Sequence, residues 1–301
     1  MKAWLDGKIV DEQDTHVSLL AHSFSRGSAI FEVVDIVSTQ QGPALFGLSE
    51  HIDRFFNTAK YTYLDVPLNK EQLIQAVVET AKVNSVQSGA AKFFAYFPDI
   101  ELKVVPATPN VSVAIFAVDF EEFGMDRAAF SVPMTVGISK HRKNHPESVP
   151  PHAKITGNYV NSYLSVMEVK KRGYQEALLL DTMGFVAEGP SSNAFFIKNH
   201  KILTPHLRAV LPGITRSAVI QVLREMNYVV EETDIRPDDI IDCDEAFFTS
   251  SLAGVHPVRS LEGRKIGENC PGPITTVLIN KMKEIMDGNL TGFQKWLTPI
   301  R

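Results

Sequence analysis

Lys154-Ile155-Thr156-Gly157-Asn158-Tyr159 is the stretch on which the reading of this 301-residue chain turns. It follows a proline-rich loop, Val149-Pro150-Pro151-His152-Ala153. It precedes a helical pattern in which Val160, Tyr163, Leu164 and Met167 fall at i, i+3, i+4 and i+7. Proline fixes φ and removes a donor, so the loop is expected to be stiff. Gly157 lets a backbone or a flat ligand come close. Lys154 is thus delivered from a rigid loop at the mouth of a helix, with Tyr159 five residues on. A lysine amine that is partly desolvated and neutral is a nucleophile toward carbonyls. Taken alone, a solvated surface lysine is the commoner state of the residue.

Two further stretches change that balance. Glu188-Gly189-Pro190-Ser191-Ser192-Asn193 lies between the apolar strand candidates Ala177–Leu180 and Ala194–Ile197, and Leu211-Pro212-Gly213-Ile214-Thr215-Arg216 opens a helix. A lysine, an acidic turn and a Pro-Gly helix start form a chemically coherent set. In this order the motifs resemble the class IV, fold-type IV aminotransferases that depend on pyridoxal 5'-phosphate, and among them the branched-chain amino-acid aminotransferases. The resemblance runs from Ala21-His22-Ser23-Phe24 to Pro257-Val258-Arg259-Ser260. It implies an α/β (α+β) chain of two domains: a small α/β sandwich domain over 1–121, a linker over 122–127, and a larger pseudo-barrel domain over 128–301 carrying the Schiff-base lysine.

Composition agrees with a folded enzyme. Apolar residues make up 44% and charged residues 22%, the balance of a globular chain. The formal charge is −5, from 30 basic and 35 acidic residues, and no basic run suggests nucleic acid. Cys243 and Cys270 form neither a disulfide framework nor a tetrahedral zinc set. No apolar run approaches the roughly 20 residues of a membrane span. The first residues read as a strand without a signal-peptide pattern. These features lead to the expectation of a cytoplasmic protein without metal. His141, His145 and His152 gather before Lys154, but no acidic or cysteine partner stands at ligand spacing, so solvated loop histidines are expected.

Periodicity supplies the elements. Asp6-Gly7 marks a hairpin, Leu19–Gly27 a loop, and Ala29–Val37 a β-branched strand that pairs with Ala44-Leu45-Phe46. Ser49 is expected to cap a helix whose stripe is Ile52, Phe55, Phe56 and Ala59, with Arg54 roughly opposite. A second helix over Lys70–Asn84 turns Ile74, Val77, Val78 and Ala81 inward. Ala91–Phe97 and Val111–Val118 read as buried strands. Glu121-Glu122-Phe123-Gly124 marks the domain boundary. Helix Pro212–Asn227 has Pro212 at its first position and Val219, Val222, Leu223 and Met226 on its core face. Glu245–Thr249 is a strand.

The resemblance assigns roles that local sequence leaves open. It makes Lys154 the residue that bonds the cofactor and then moves the substrate proton. Glu188, otherwise a turn residue, pairs with the pyridine nitrogen. Tyr159 meets the ring's phenolic oxygen, and Asn193 supports Glu188. Arg54, otherwise a solvated arginine, grips the phosphate, together with the backbone N–H groups of Ile214 and Thr215 and the hydroxyl of Ser251. A guanidinium and a helix N-terminus both suit a phosphate.

The substrate end departs from the familiar branched-chain enzymes. Arg26 stands where they carry a tyrosine, Ala90 and Lys92 where they carry a tyrosine and an arginine, and Ser251-Leu252-Ala253 where they read a threonine and two alanines. Phe31 is kept and would wall an apolar pocket. Arg26 and Lys92 are candidates for a carboxylate, with Leu252 and Ala253 also lining the substrate. Glu32-Val33-Val34 is similar to D-amino-acid aminotransferases, and an arginine near position 26 to (R)-selective amine transaminases. The main expectation is amino transfer between a branched-chain or similar hydrophobic amino acid and 2-oxoglutarate by a homodimer or higher homo-oligomer. A D-amino-acid or (R)-amine transaminase, or a lyase like aminodeoxychorismate lyase, is the alternative.

Overall fold

Alternating apolar residues in the first third of the chain build one antiparallel sheet. The computed structural model describes residues 1–301. β1 (Lys2–Leu5) and β2 (Lys8–Asp11) are joined through Asp6 and Gly7, both at positive φ, the geometry that a two-residue hairpin turn needs. A short helix, α1 (His22–Arg26), replaces the expected loop. There follow β3 (Ile30–Thr39), β4 (Gly42–Phe46), α2 (Leu48–Tyr61), α3 (Lys70–Val83), β5 (Gly89–Tyr96) and β6 (Ser112–Asp119). The strand Leu297–Pro299 adds to β4, so the sheet runs Leu297–Pro299, β4, β3, β5, β6, β1, β2.

Helices α2 and α3 share a core with this sheet, in which Ile52, Phe55, Leu73 and Val77 meet Phe93 and Ile115. Asn69 caps α3 reciprocally with Gln72, a capping box. Two details of α2 differ from expectation. Its N-cap is Gly47 in the left-handed region, with no side-chain cap, and Ser49 lies inside the helix. Arg54 is buried, not turned to solvent. His51, Arg54 and Thr58 recur at helical spacing as a second, polar stripe, and it is buried because Glu32 on β3 faces it.

The second sheet is mixed. Its elements are β7 (Met134–Ile138), α4 (Tyr159–Lys171), β8 (Glu176–Leu178), β9 (Asn193–Lys198), β10 (Lys201–Pro205), α5 (Ile214–Glu225), β11 (Val230–Thr233), α6 (Pro237–Ile240), β12 (Glu245–Ser250), β13 (Gly254–Leu261), β14 (Arg264–Lys265) and α7 (Pro273–Met286). The strand order is β11, β10, β9, β12, β13, β7, β8, with β14 on β13. β9 and β12 are central and almost wholly buried, which explains the apolar Ala194-Phe195-Phe196-Ile197 and Ala246-Phe247-Phe248 at their middles. Phe195 and Phe247 stack between them at 4.9 Å. The start of α7 is capped by Glu245, whose two oxygens accept the N–H groups of Ile274 (3.0 Å) and Thr275 (2.8 Å).

Helix α4 presents the reverse of the face its sequence pattern suggests. Val160 (60% exposed), Tyr163 (62%), Leu164 (43%) and Met167 (40%) look outward, while Ser162, Ser165 and Val169 are buried. Ser162 Oγ donates to the carbonyl of Pro190 at 2.6 Å, so a small polar residue is what that side of the helix needs.

Two compact units result. One contains Met1–Asp126, Ala153–Gly157 and Glu284–Arg301; the other contains Arg127–His152 and Asn158–Lys283. Lys154 through Gly157 and the C-terminal segment therefore belong to the first unit. The division into 1–121 and 128–301 expected from the sequence places both in the second. A boundary search along the chain cannot find segments that return to an earlier unit.

Candidate active site

In the first unit Lys154 is fixed through its backbone. Its carbonyl accepts the N–H of Phe31 (3.1 Å), and its own N–H donates to Oγ1 of Thr58 on α2 (3.2 Å). Ile155 bridges Ile30, and Thr156 N–H donates to the Ala29 carbonyl at 2.8 Å. The stretch thus meets β3 through a single bridge at Ile155 and then turns as a short 3-10 helix over Thr156–Asn158. Gly157 serves close approach as expected, but to backbone: its N–H donates to the carbonyl of Gly27 at 2.9 Å, and a Cβ on Gly157 would also stand 2.9 Å from that oxygen.

The side chain of Lys154 lies over an aromatic ring. Nζ is 4.7 Å from the centre of Phe31, and Nζ of Lys92 is 5.3 Å from the same ring and 5.0 Å from Phe94. Both distances suit cation–π attraction. Lys92 pairs with Val33 across β3 and β5, which puts it on the same sheet face as Phe31 and Phe94. Burial, and then the neighbouring charge of Lys154, lower the pKa of Lys92. Phe31, Lys92 and Lys154 are therefore brought together. Arg26 is not in that group: it is exposed, and Nη2 donates to the carbonyl of Leu102 at 3.0 Å.

Beneath Lys154 lies a buried charge cluster that the sequence does not announce. Glu32, fully buried, accepts from Arg54 Nε (2.6 Å) and Nη2 (2.8 Å) and from His51 Nδ1 (2.8 Å). Burial alone would raise the Glu32 pKa, but the Arg54 guanidinium and His51 outweigh it and hold the carboxyl well below its usual range. Burial lowers the pKa of His51, with Arg54 and Lys154 adding to the effect against the pull of Glu32. His51 is thus a neutral ring donating Nδ1–H. Glu32 thus takes the Nε–Nη2 edge of Arg54.

In the second unit Glu188 is held from several sides. It is 4% exposed. Oε2 accepts from Asn193 Nδ2 (3.1 Å) and from the N–H of Leu211 (3.1 Å), and Oε1 lies 2.5 Å from Nζ of Lys143. The expected partnership of Glu188 and Asn193 is therefore present, and Asn193 Nδ2 also donates to the Leu211 carbonyl. Lys143 was missed by sequence reasoning, since a lysine in a loop eleven residues before Lys154 carries no local signal. Burial works against its charge, but Glu188 outweighs this and raises its pKa, with a smaller contribution from Tyr159.

Tyr159 opens α4. Helix α5 opens at Gly213, with no side chain capping its first amides, Ile214 and Thr215 among them. Uncapped helix starts attract anions. Pro212 stands just before the cap, not at the first helical position. A Cβ on Gly213 would fall 2.0 Å from Oδ1 of Asn193, so only glycine lets the helix start approach the Glu188 support. Ser251, Leu252 and Ala253 form the half-buried turn after β12. Of the three histidines, His152 bonds the carbonyl of Leu207 through Nε2 (2.6 Å), and His141 and His145 are exposed.

The first unit thus offers a lysine amine poised on an aromatic face, and the second a buried carboxylate on a supported turn and an uncapped helix start. A model of the amino-transferase class IV family matches residues 29–261, and the chain belongs to that family. A probable branched-chain-amino-acid aminotransferase of Aquifex aeolicus is 33% identical, over 99% of this chain and 96% of its own length. The structure of the branched-chain aminotransferase of Thermoproteus uzoniensis with norvaline superposes with a TM-score of 0.94 at 31% identity, covering 100% of this chain and 99% of that one. That of a T.th. branched-chain amino acid aminotransferase complexed with N-(5'-phosphopyridoxyl)-L-glutamate gives 0.92 at 31% identity, covering 100% and 98%. The two-sheet fold is that of the fold-type IV branched-chain enzymes.

Proposed function

We propose that the protein is a pyridoxal 5'-phosphate-dependent aminotransferase that moves an amino group between a branched-chain or similar hydrophobic amino acid and 2-oxoglutarate. The donor set fits the cofactor: Glu188 is a buried acceptor that a ring N–H suits, and the α5 amides have no side-chain cap and suit a phosphate. When bound, the cofactor supplies an aldehyde that bonds amines and a ring that accepts the electron pair left by the substrate α-proton. Lys154 Nζ would hold the cofactor and would be the base and acid that carries the substrate α-proton. Glu188, which Asn193 holds, would hold the ring at its nitrogen, and Tyr159 would hold it at its phenolic oxygen. Arg54, Ile214, Thr215 and Ser251 would hold the phosphate.

The observation that carries the substrate reading is the Phe31 ring with Lys154 on it and Lys92 beside it. The ring offers an apolar wall for a hydrocarbon side chain. Lys92 offers a cation for the second carboxylate of a dicarboxylic acid. The relatives solved with norvaline and with a phosphopyridoxyl glutamate support both halves of this exchange. Glutamate formation from 2-oxoglutarate with L-leucine, L-isoleucine and L-valine is the test. Turnover restricted to D-alanine or an (R)-amine, or pyruvate release without added keto acid, would replace this reading with one of its relatives in the fold.

The same reading makes the chain a homodimer or a higher homo-oligomer. The outward apolar stripe of α4 supports it, as do exposed Leu19, Phe24, Leu102 and Val104 in the first unit. Sedimentation at the mass of one chain would refute it. No helix is long and apolar enough to cross a membrane. The unpaired Cys243 and Cys270 suit a reducing compartment, and we place the enzyme in the cytoplasm. Cell fractionation tests that placement.

A further inference from the structure

A carboxylate has about four acceptor sites, two on each oxygen. On Glu188, Oε2 is filled by Asn193 and the Leu211 amide, while Oε1 carries Lys143. Lys143 is anchored by its backbone N–H to the carbonyl of Leu180 at 2.8 Å, and its side chain is only 19% exposed. Tyr159 is the other titratable group whose charge acts on Lys143. The side chain of Asn193 and the amide of Leu211 are neutral. Within this unit the charge of Glu188 is balanced by Lys143 alone.

We propose that Lys143 is a positioning residue of the cofactor site, whose ammonium keeps Glu188 ionised and turned so that one acceptor site on Oε1 remains for a protonated pyridine nitrogen. The proposal rests on the reading that Glu188 meets the cofactor ring. A buried carboxylate without a counter-charge favours its neutral form. A neutral carboxyl holds its own proton and cannot balance a pyridinium. Lys143 removes that competition before the cofactor arrives. It also shares the carboxylate with the ring, which moderates how tightly Glu188 holds the ring proton.

The test uses pyridoxamine 5'-phosphate, which has no aldehyde and so binds without bonding to Lys154. Its dissociation constant is measured by fluorescence on the full, cofactor-stripped chain between pH 5.5 and 8.5, and each variant is expressed as a ratio to wild type at the same pH. Lys143→Met is expected to bind progressively worse as pH falls, by up to about tenfold per pH unit for one added proton. Lys143→Arg keeps a cation and stays within about threefold of wild type throughout, on the same scale. Lys143→Gln loses only the charge, gives the same slope as Lys143→Met, and serves where that variant does not fold. In a Glu188→Gln background the slope disappears. A pH-independent ratio for both Lys143→Met and Lys143→Gln overturns the proposal, as does an unchanged slope in the Glu188→Gln background. If Glu188→Gln by itself leaves affinity unaltered, the reading of Glu188 as the ring's partner fails instead.

Discussion

Lys154 is bound to Phe31 at both ends: its carbonyl accepts the Phe31 N–H at 3.1 Å, and its amine stands 4.7 Å from the centre of the Phe31 ring. One residue of β3 thus fixes the main chain of Lys154 and provides the surface on which its amine rests. The N–H of Lys154 is tied to Thr58 on α2, so the lysine is clamped between a strand and a helix that share one core. The backbone is fixed, and the flexible stem carries the amine, which suits the role proposed for it.

Lys154→Ala removes the amine and none of the backbone bonds. The variant is expected to keep its melting temperature within a few degrees and to lose turnover. Borohydride reduction of the loaded wild type followed by peptide mapping should place the cofactor on Lys154. A label on Lys92 or Lys143 would reassign the reactive amine.

Glu188→Gln keeps the shape of the turn and its bonds to Asn193 and Leu211 within reach, but it removes the charge that faces Lys143. A neutral amide cannot hold a ring proton as a carboxylate does. Turnover should fall by about 10² or more, the scale of losing one preorganised electrostatic group. Unchanged turnover would reduce Glu188 to a turn residue.

Lys92 and Arg26 are both candidates for a substrate carboxylate, and geometry separates them. Lys92 shares the Phe31 ring with Lys154, whereas Arg26 is exposed and bonded to Leu102. A charge-assisted pair to a carboxylate contributes about 1.5–3 kcal/mol. Lys92→Gln should therefore raise KM for 2-oxoglutarate by about 10- to 150-fold. Because burial and Lys154 lower its pKa, Lys92 loses its charge below the ordinary lysine range, so this KM should also climb early on the alkaline side. Arg26→Ala should change KM by less than about threefold if its bond to the Leu102 carbonyl is its main role, well under the tenfold that 1.4 kcal/mol gives. The reverse pattern would move the carboxylate site to Arg26.

How much of this was legible in the sequence depends on the range of the interaction. The strands and helices around Phe31, Glu188 and Gly213 follow from local periodicity, and so does the hairpin at Asp6-Gly7. Glu188 and Asn193 lie in one turn, so their partnership is short-range. The burial of Arg54 is not legible locally, because it depends on Glu32, 22 residues away on another element. Lys143 was invisible because its partner is 45 residues on. The α4 stripe reads as a core face by pattern alone, yet the inner side of that helix is set by a carbonyl at Pro190 that wants a serine.

Gly157→Ala tests the close approach of the lysine stretch to the chain before β3. The new Cβ would stand 2.9 Å from the Gly27 carbonyl oxygen, and Gly27 is backbone at positive φ with little room to yield. Overpacking of this kind destabilises by about 1–3 kcal/mol. Turnover should drop with stability, since Lys154 lies three residues away, just before the same short turn. A fully active, fully stable variant would show that the stretch relaxes freely.

The last prediction concerns acid stability and rests on His51. Buried beside Arg54 and Lys154, His51 has a lowered pKa when folded and stays neutral, whereas in the unfolded chain it titrates near the ordinary value of about 6.5. Below that value the unfolded state binds a proton that the native state refuses. Stability must therefore decline as pH falls from about 7, by at most about 1.4 kcal/mol per pH unit for this one group. Glu32 acts in a different window. Its folded pKa is depressed, so its contribution is complete above the unfolded carboxylate value of about 4.3 and is lost only below it. Between pH 5 and 7.5 the two effects separate. His51→Gln can still donate to Glu32 but cannot titrate. Its denaturant-derived stability should fall less steeply over that range than that of the wild type, though its stability at pH 7.5 is lower because the amide fits the ring's space poorly. Parallel curves for the two proteins would mean that His51 is protonated in the folded chain, and the Glu32 cluster would then hold two cations instead of one.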